Sequence, residues 1–411
     1  MKSVLFLSAL DFKEKSIQVL RKTPEAYAAA AWDVRYIVAR DTSHRGNYSY
    51  EDEINPKGVQ IERFSWPLAG ARNAAKGRWP LYFWTRLAGF WVIVQLARRG
   101  AHALRQKPVD VVYGYEVHGV LALRLLRLFR RTGKAKSVTR FQGTWLTQIL
   151  EQRRIAQLLA NLDQIVALRT RSDLAIMTDD GTRGDRAMAM LRSPVADKLK
   201  FWVNGTDIFT NLAARDEFRA RLGIGAATAM LLSVSRLEGW KRIDRGIAIA
   251  AALKRQGADF VYVIVGGGTE REKLETMAAD LGVSDRIIFV GAVPQSDVFN
   301  YMNCADFFIS MYDLSNVGNP LLEAIRMEKI VVTLNNGDTG SWIRHMENGL
   351  IYDPSHEVAE AAGRDIARLI HDEAAREMLC EGVRTLARER LWTWSERMTE
   401  EVTHVERLLE S

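Results

Sequence analysis

The chain has 411 residues, of which 47% are hydrophobic and 26% charged, with a formal net charge of +7. That length exceeds one ordinary hydrophobic core and suits two domains of a globular protein. The only two cysteines, Cys304 and Cys380, lie in apolar, helix-like contexts without metal spacing, which excludes a disulfide framework and fits a reducing compartment.

The opening "MKSVLFLSALDF" reads as a first β-strand, because its apolar run is short and no small-residue cleavage site follows. "SVLFLSA", "DVRYIVA", "VDVVYGY", "KSVTRFQG" and "LAIMT" are the strands expected in the first half, several of them separated by amphipathic stretches. The longest apolar window, 81–97, contains Arg86 and Gln95 and is shorter than a comfortable bilayer span, so no transmembrane helix is expected. Residues 121–136 carry Arg124, Arg127, Arg130, Arg131, Lys134 and Lys136 with no acid. Their spacing predicts a basic amphipathic helix, which suits an anionic membrane surface or is simply the solvated face of a domain helix. With no helix-turn-helix or zinc pattern, nucleic acid is not an expected partner. "LKFWVN" closes the first half, and the domain boundary falls between Asn204-Gly205 and about Ala227. "AMLLSVSRL", "DFVYVIVGGG", "RIIFVGA", "DFFISMY" and "KIVVTLN" then repeat the strand–helix alternation, and near-continuous apolar strands imply burial on both sheet faces. The expected organisation is α/β, with two doubly wound parallel-sheet domains, 1–207 and 208–390. A terminal helix, 391–411, holds Trp392 and Trp394 and packs back toward the first domain.

Ligands of open α/β sheets bind where strands end, so the residues after each strand are the candidate site. Arg236 and Lys241 share one loop and can clamp a diphosphate. Gly266, Gly267 and Gly268 let backbone approach closely. A helix opening at Pro320 offers amides to a phosphate, and Glu323 can grip a ribose diol or simply favour the helix dipole.

The stretches "SVSRLEGWKRID", "VIVGGGTEREKLE", "RIIFVGAVPQSDVFNYMNCADFFI" and "NPLLEAI…NGLIYDP", in that order, resemble the retaining glycosyltransferases of family four, with the GT-B fold. The resemblance is strongest over 231–354 and implies two Rossmann-like domains facing a cleft, donor bound by the second and acceptor by the first. It implies that Arg236 and Lys241 bind the donor diphosphate and Glu323 the ribose. Backbone around Val290, Gly291 and Val293 reads the base, with Gly267 and Gly268 close to the donor. Asn316, Gly318, Asn319 and Pro320 line the sugar and phosphate, and the amides of Leu321 and Leu322 face the distal phosphate.

The family's first acid, eight residues before the second, falls here on Ser315. Counting from the strand end instead makes Asp313 a shifted acid on a longer loop, or else no first acid exists and Asn316 or loop amides bind the sugar. On the acceptor side stand Lys13, Lys15, Ser16, Glu116, His118, Gln142 and Asp180. Gln142 replaces a histidine usual in the family, and His118 either supplies its role or is structural. The resemblance implies same-face transfer without a nucleophilic carboxylate. It also implies no metal and no cofactor beyond the nucleotide-sugar substrate, UDP favoured and GDP allowed. The acceptor would be a lipid or glycan, and the location cytoplasmic with peripheral membrane attachment. A non-catalytic nucleotide-sugar binder and a transferase acting on a small soluble acceptor are the competing readings.

Overall fold

The computed structural model describes residues 1–12, 18–40, 54–67, 79–207, 209 and 213–410. The chain divides into two units. One comprises 1–179, 183–204 and 394–411, and the other 180–182 and 205–393. Lys13, Lys15 and Ser16 lie outside the described residues.

The first unit is built on a seven-stranded parallel sheet. In chain order its strands are β1 (Ser3–Ser8), β2 (Asp33–Arg40), β3 (Val59–Ser65), β4 (Val111–Tyr115), β5 (Lys136–Phe141), β6 (Leu174–Thr178) and β7 (Leu199–Trp202). Their spatial order is β3-β2-β1-β4-β5-β6-β7. The central strands β1 and β4 are buried throughout, which is why they read as unbroken apolar runs. β3 was not anticipated. Its alternation of apolar and polar residues marks an edge strand with one wet face.

The helix Trp394–Glu410 counts with this unit. Val402 and Val405 enter the core around Phe6 and Tyr113, while Trp394 packs on Val19 and Met398. On its buried face, Glu401 is fully buried, 2.9 Å from Arg397 and 3.7 Å from Arg140, and accepts a hydrogen bond from the Tyr113 hydroxyl.

The second unit has a six-stranded parallel sheet. It comprises β8 (Ala229–Val234), β9 (Phe260–Val265), β10 (Ile287–Gly291), β11 (Phe307–Ser310), β12 (Ile330–Leu334) and β13 (Leu350–Tyr352). The order is β10-β9-β8-β11-β12-β13. β13, three residues at an edge, was likewise not anticipated.

The basic run 121–136 is not one helix. The helix Glu116–Leu128 stops before Arg130, whose φ is +51°, and Lys136 begins β5. Arg127 leaves the basic face, its guanidinium donating to the Ser137 hydroxyl and the Arg171 carbonyl. Among the described residues, no helix is long and apolar enough to cross a membrane, and both cysteines are free thiols.

Candidate active site

In the second unit the strand order reverses direction between β8 and β11. Loops leaving adjacent strands on either side of such a point diverge and leave a crevice at the carboxyl edge of the sheet. Arg236 and Lys241 sit on the loop after β8, and Asp313 through Gly318 on the loop after β11.

The two loops interlock. The Asp313 amide donates to the Trp240 carbonyl at 3.2 Å, and the Tyr312 hydroxyl donates to the Val234 carbonyl at 3.3 Å. Between them Lys241 places its ammonium 3.7 Å from the centre of the Tyr312 ring and 4.0 Å from that of Trp240. Burial, and then the neighbouring Arg236, push its pKa down to about 7, against the pull of Glu238. Both ring faces favour the charged form. An anion arriving beside Arg236 would favour it far more.

Glu238 ties the loop together. One carboxylate oxygen accepts from Arg236 at 2.6 Å and the other from the Trp240 indole at 2.7 Å. It therefore holds both the first cation and one wall of the second cation's box. Neither Glu238, Trp240 nor Tyr312 was singled out from sequence. The signal available was an acid and an aromatic spaced between two cations in "RLEGWK". Glu238→Ala should free Arg236 and Trp240 to wander. The expected result is a nucleotide dissociation constant raised about tenfold, read by titration calorimetry, with the melting temperature little changed.

The glycine turn after β9 serves this loop. A Cβ on Gly266, whose φ is +142°, would strike the Ser235 carbonyl, and one on Gly268 the Leu237 carbonyl. The Leu237 amide donates to Gly267 at 2.9 Å, so the turn clamps the segment that carries Arg236. Gly266 in turn donates to the Gly291 carbonyl at 2.8 Å, joining the end of β10 and the Val290–Val293 backbone to the same edge.

The loop after β11 departs from expectation in three places. Asp313 pairs with Arg245 at 2.8 Å and Arg242 at 3.1 Å, so its carboxylate is held by two cations of the neighbouring helix start. Asn316 is buried, and its amide oxygen accepts from both the Ser310 hydroxyl and the Tyr312 amide, each at 2.9 Å. Its nitrogen donates to Asn336 at 2.8 Å. It shapes the loop; its carbonyl oxygen is not left for a sugar. The amides of Leu321 and Leu322 both donate to the Gly318 carbonyl, at 3.0 and 3.1 Å, and Pro320 has no donor, so these two amides are not an open phosphate cradle. Ser315 donates to the Asp180 carbonyl at 2.9 Å, within the unit that includes 180–182. Asp180 itself closes a turn onto Thr182. Glu323 is buried on the helix Asn319–Arg326.

At the carboxyl edge of the first sheet, Glu116 and His118 begin the helix Glu116–Leu128. Glu116 has a φ of +58° and accepts from the Gln142 amide at 2.6 Å. The Gln142 side chain donates to the Tyr115 hydroxyl at 3.2 Å. His118 meets Trp66 edge-on at 5.1 Å. Among the described residues, no cluster of three or more acids, histidines and cysteines could hold a metal.

Residues 214–385 match the family described as Glycosyl transferases group 1. Over 145 residues the chain is 29% identical to the alpha-monoglucosyldiacylglycerol synthase of Streptococcus pneumoniae, covering 35% of this chain and 33% of that protein. Over 182 residues it is 29% identical to the GDP-mannose-dependent alpha-(1-6)-phosphatidylinositol monomannoside mannosyltransferase of Mycobacterium tuberculosis, covering 43% and 44%. With the alpha-D-kanosaminyltransferase of Streptomyces kanamyceticus included, the chain spans between 33% and 60% of these relatives' lengths. In fold it resembles the Anabaena protein HepE in complex with UDP, with a TM-score of 0.72 at 17% identity, covering 99% of this chain and 100% of that one. It also resembles the sucrose-phosphate synthase of Thermosynechococcus elongatus, with a TM-score of 0.72 at 18% identity, covering 100% and 99%.

Proposed function

We propose that this chain, whose residues 214–385 match the glycosyl transferases group 1 family, moves a hexosyl group from a nucleoside diphosphate sugar, UDP-linked in first choice, to a lipid or glycan hydroxyl with retention at the anomeric carbon. The observation that carries this reading is the pair Arg236 and Lys241, held by Glu238, Trp240 and Tyr312 at the strand-order reversal. HepE's complex with UDP and the names of the lipid-modifying relatives support the donor and acceptor classes.

In this reading the bond between the anomeric carbon and the diphosphate oxygen breaks, and the acceptor oxygen bonds to the same face. The acceptor proton passes to the departing phosphate. Arg236 and Lys241 stabilise the charge that gathers on that phosphate, the term that contributes most to such reactions. The buried Glu323 holds the ribose.

A thermal-shift panel of nucleotides and nucleotide sugars tests the donor, and acceptor-free hydrolysis of the sugar tests catalysis. A UDP-sugar should raise the melting temperature of the native chain and be slowly hydrolysed, and Arg236→Ala should lower affinity about tenfold or more. No shift with any nucleotide would overturn the reading. Binding without hydrolysis or transfer would favour a non-catalytic sugar-nucleotide binder. The engagement of Asp313 by Arg242 and Arg245 gives that second reading its footing.

A further inference from the structure

The first unit carries a groove of about 830 Å³ between the helices Trp79–Gln106 and Glu116–Leu128. Leu125, Leu126 and the exposed Phe129 line it, together with the guanidinium-bearing Arg98, Arg99, Arg105 and Arg131. Glu62, the one acid lining it, is taken by Arg99 at 2.5 Å. Arg98, Arg105 and Arg131 have no carboxylate partner among the described residues. Among the described residues, Arg105 donates only to the Ala101 carbonyl of its own helix. Three guanidiniums without a described carboxylate partner, around one apolar trough, match a ligand that is anionic at one end and greasy at the other.

What lies beside the groove narrows the choice. Phe90, which lines it, is 63% exposed and belongs to a stripe along the same helix with Phe83, Trp84, Leu87 and Trp91, all exposed. Arg86 bonds to Asp163 at 3.1 Å and to the Ala160 carbonyl at 2.7 Å. That clasp ties the stripe's helix to two short ones, Ile155–Ala160 and Leu162–Leu168, whose Ile155, Leu159 and Leu162 are exposed as well. A soluble surface rarely shows so many large apolar groups together. Aromatic residues with neighbouring arginines are the composition of a membrane-interface surface.

We propose that the groove binds the headgroup phosphate of an anionic phospholipid while the aromatic stripe and the two short helices enter the lipid surface. The occupant is a bilayer lipid, fixed by charge complementarity in the groove and its continuity with the stripe through Phe90. The surface is independent of the donor site, so it stands or falls apart from the transferase reading. It differs from the basic run read in the sequence. Arg127 is spent on Ser137 and Arg171, whereas Arg98 and Arg105, from a different helix, complete the rim.

The test is sedimentation of the full chain with vesicles of phosphatidylcholine alone or mixed with phosphatidylglycerol. Binding should need phosphatidylglycerol, weaken with salt, and quench Trp84 and Trp91 fluorescence when the lipids carry a quencher. Arg98→Glu with Arg131→Glu should cut partitioning about tenfold or more, and Trp84→Ser with Phe90→Ser should abolish the quenching. Both variants should keep the native melting temperature and nucleotide affinity. Equal binding to phosphatidylcholine alone, no binding to any vesicle, or unchanged partitioning of the charge-reversed variant would overturn the proposal. So would displacement from vesicles by soluble glycerol phosphate, which would make the groove a site for a free phosphate.

Discussion

The affinity of the native chain for a nucleotide sugar should fall as pH rises above about 7, roughly tenfold per pH unit, until the bound-state pKa of Lys241 is reached. The free protein holds that ammonium near titration because burial and Arg236 disfavour its charge, with a pKa of about 7. A diphosphate beside it favours the charged form, so the bound pKa is the higher of the two. Binding therefore takes up a proton. Below pH 7 lysine is charged in both states and affinity is greatest. Above it the free lysine is neutral and each binding event must recover the proton from a scarcer pool. Calorimetry in buffers of different ionisation enthalpy should register that proton, and a nucleotide sugar is the right titrant because its diester phosphates do not titrate in this window. Lys241→Arg, charged throughout, should flatten the profile. Lys241→Met should lose the low-pH advantage and bind about tenfold or more weakly at pH 6. A flat native profile would detach Lys241 from the diphosphate.

The second large effect is on stability. Glu401→Ala should cost about 3–5 kcal/mol, because it leaves Arg140 and Arg397 charged, buried and without their shared carboxylate. In a unit of this size that lowers the melting temperature by on the order of 10 °C, measured by calorimetry on the full chain. Glu401→Gln should be milder, since it can still accept from Tyr113, but it too removes the charge. Burial alone would raise the Glu401 pKa. Arg140 and Arg397, with the Tyr113 hydroxyl, overcome it and hold the group below the usual carboxylate range. A carboxylate with a depressed folded pKa contributes stability above its unfolded pKa, and that contribution is lost as pH falls through the folded value. The first unit should therefore lose stability in acid, and the variant should lose less of it. Equal acid sensitivity in both would show that this cluster does not govern the transition.

Eleven strands were legible as apolar runs because the interior of a parallel sheet is dry on both faces, so its pattern is composition more than periodicity. Two of the four edge strands were not, since β3 alternates apolar with polar residues and β13 is too short to make a run. Arg236, Lys241 and Glu323 could be proposed from the sequence because each belongs to a local motif whose spacing survives without coordinates. Their surroundings could not. The Lys241 box needs Tyr312, which lies 71 residues away along the chain and is adjacent only because β8 and β11 pair at the reversal of strand order.

The same distinction separates Asp313 the candidate acid from Asp313 the partner of Arg242 and Arg245, and Asn316 the sugar ligand from Asn316 the loop's own organiser. A side chain's type is a property of sequence, but whether its hydrogen-bonding capacity is already spent depends on which distant strands the sheet makes neighbours. The sequence by itself determined the α/β class and the repeated strand–helix plan, and it supplied the cations proposed for a diphosphate. Only the tertiary structure decided the order of the strands, and with it which groups meet at the crevice. It also decided which arginines around the groove of the first unit have no carboxylate partner among the described residues, because ion pairing, unlike hydrophobic patterning, is settled between residues remote in the chain.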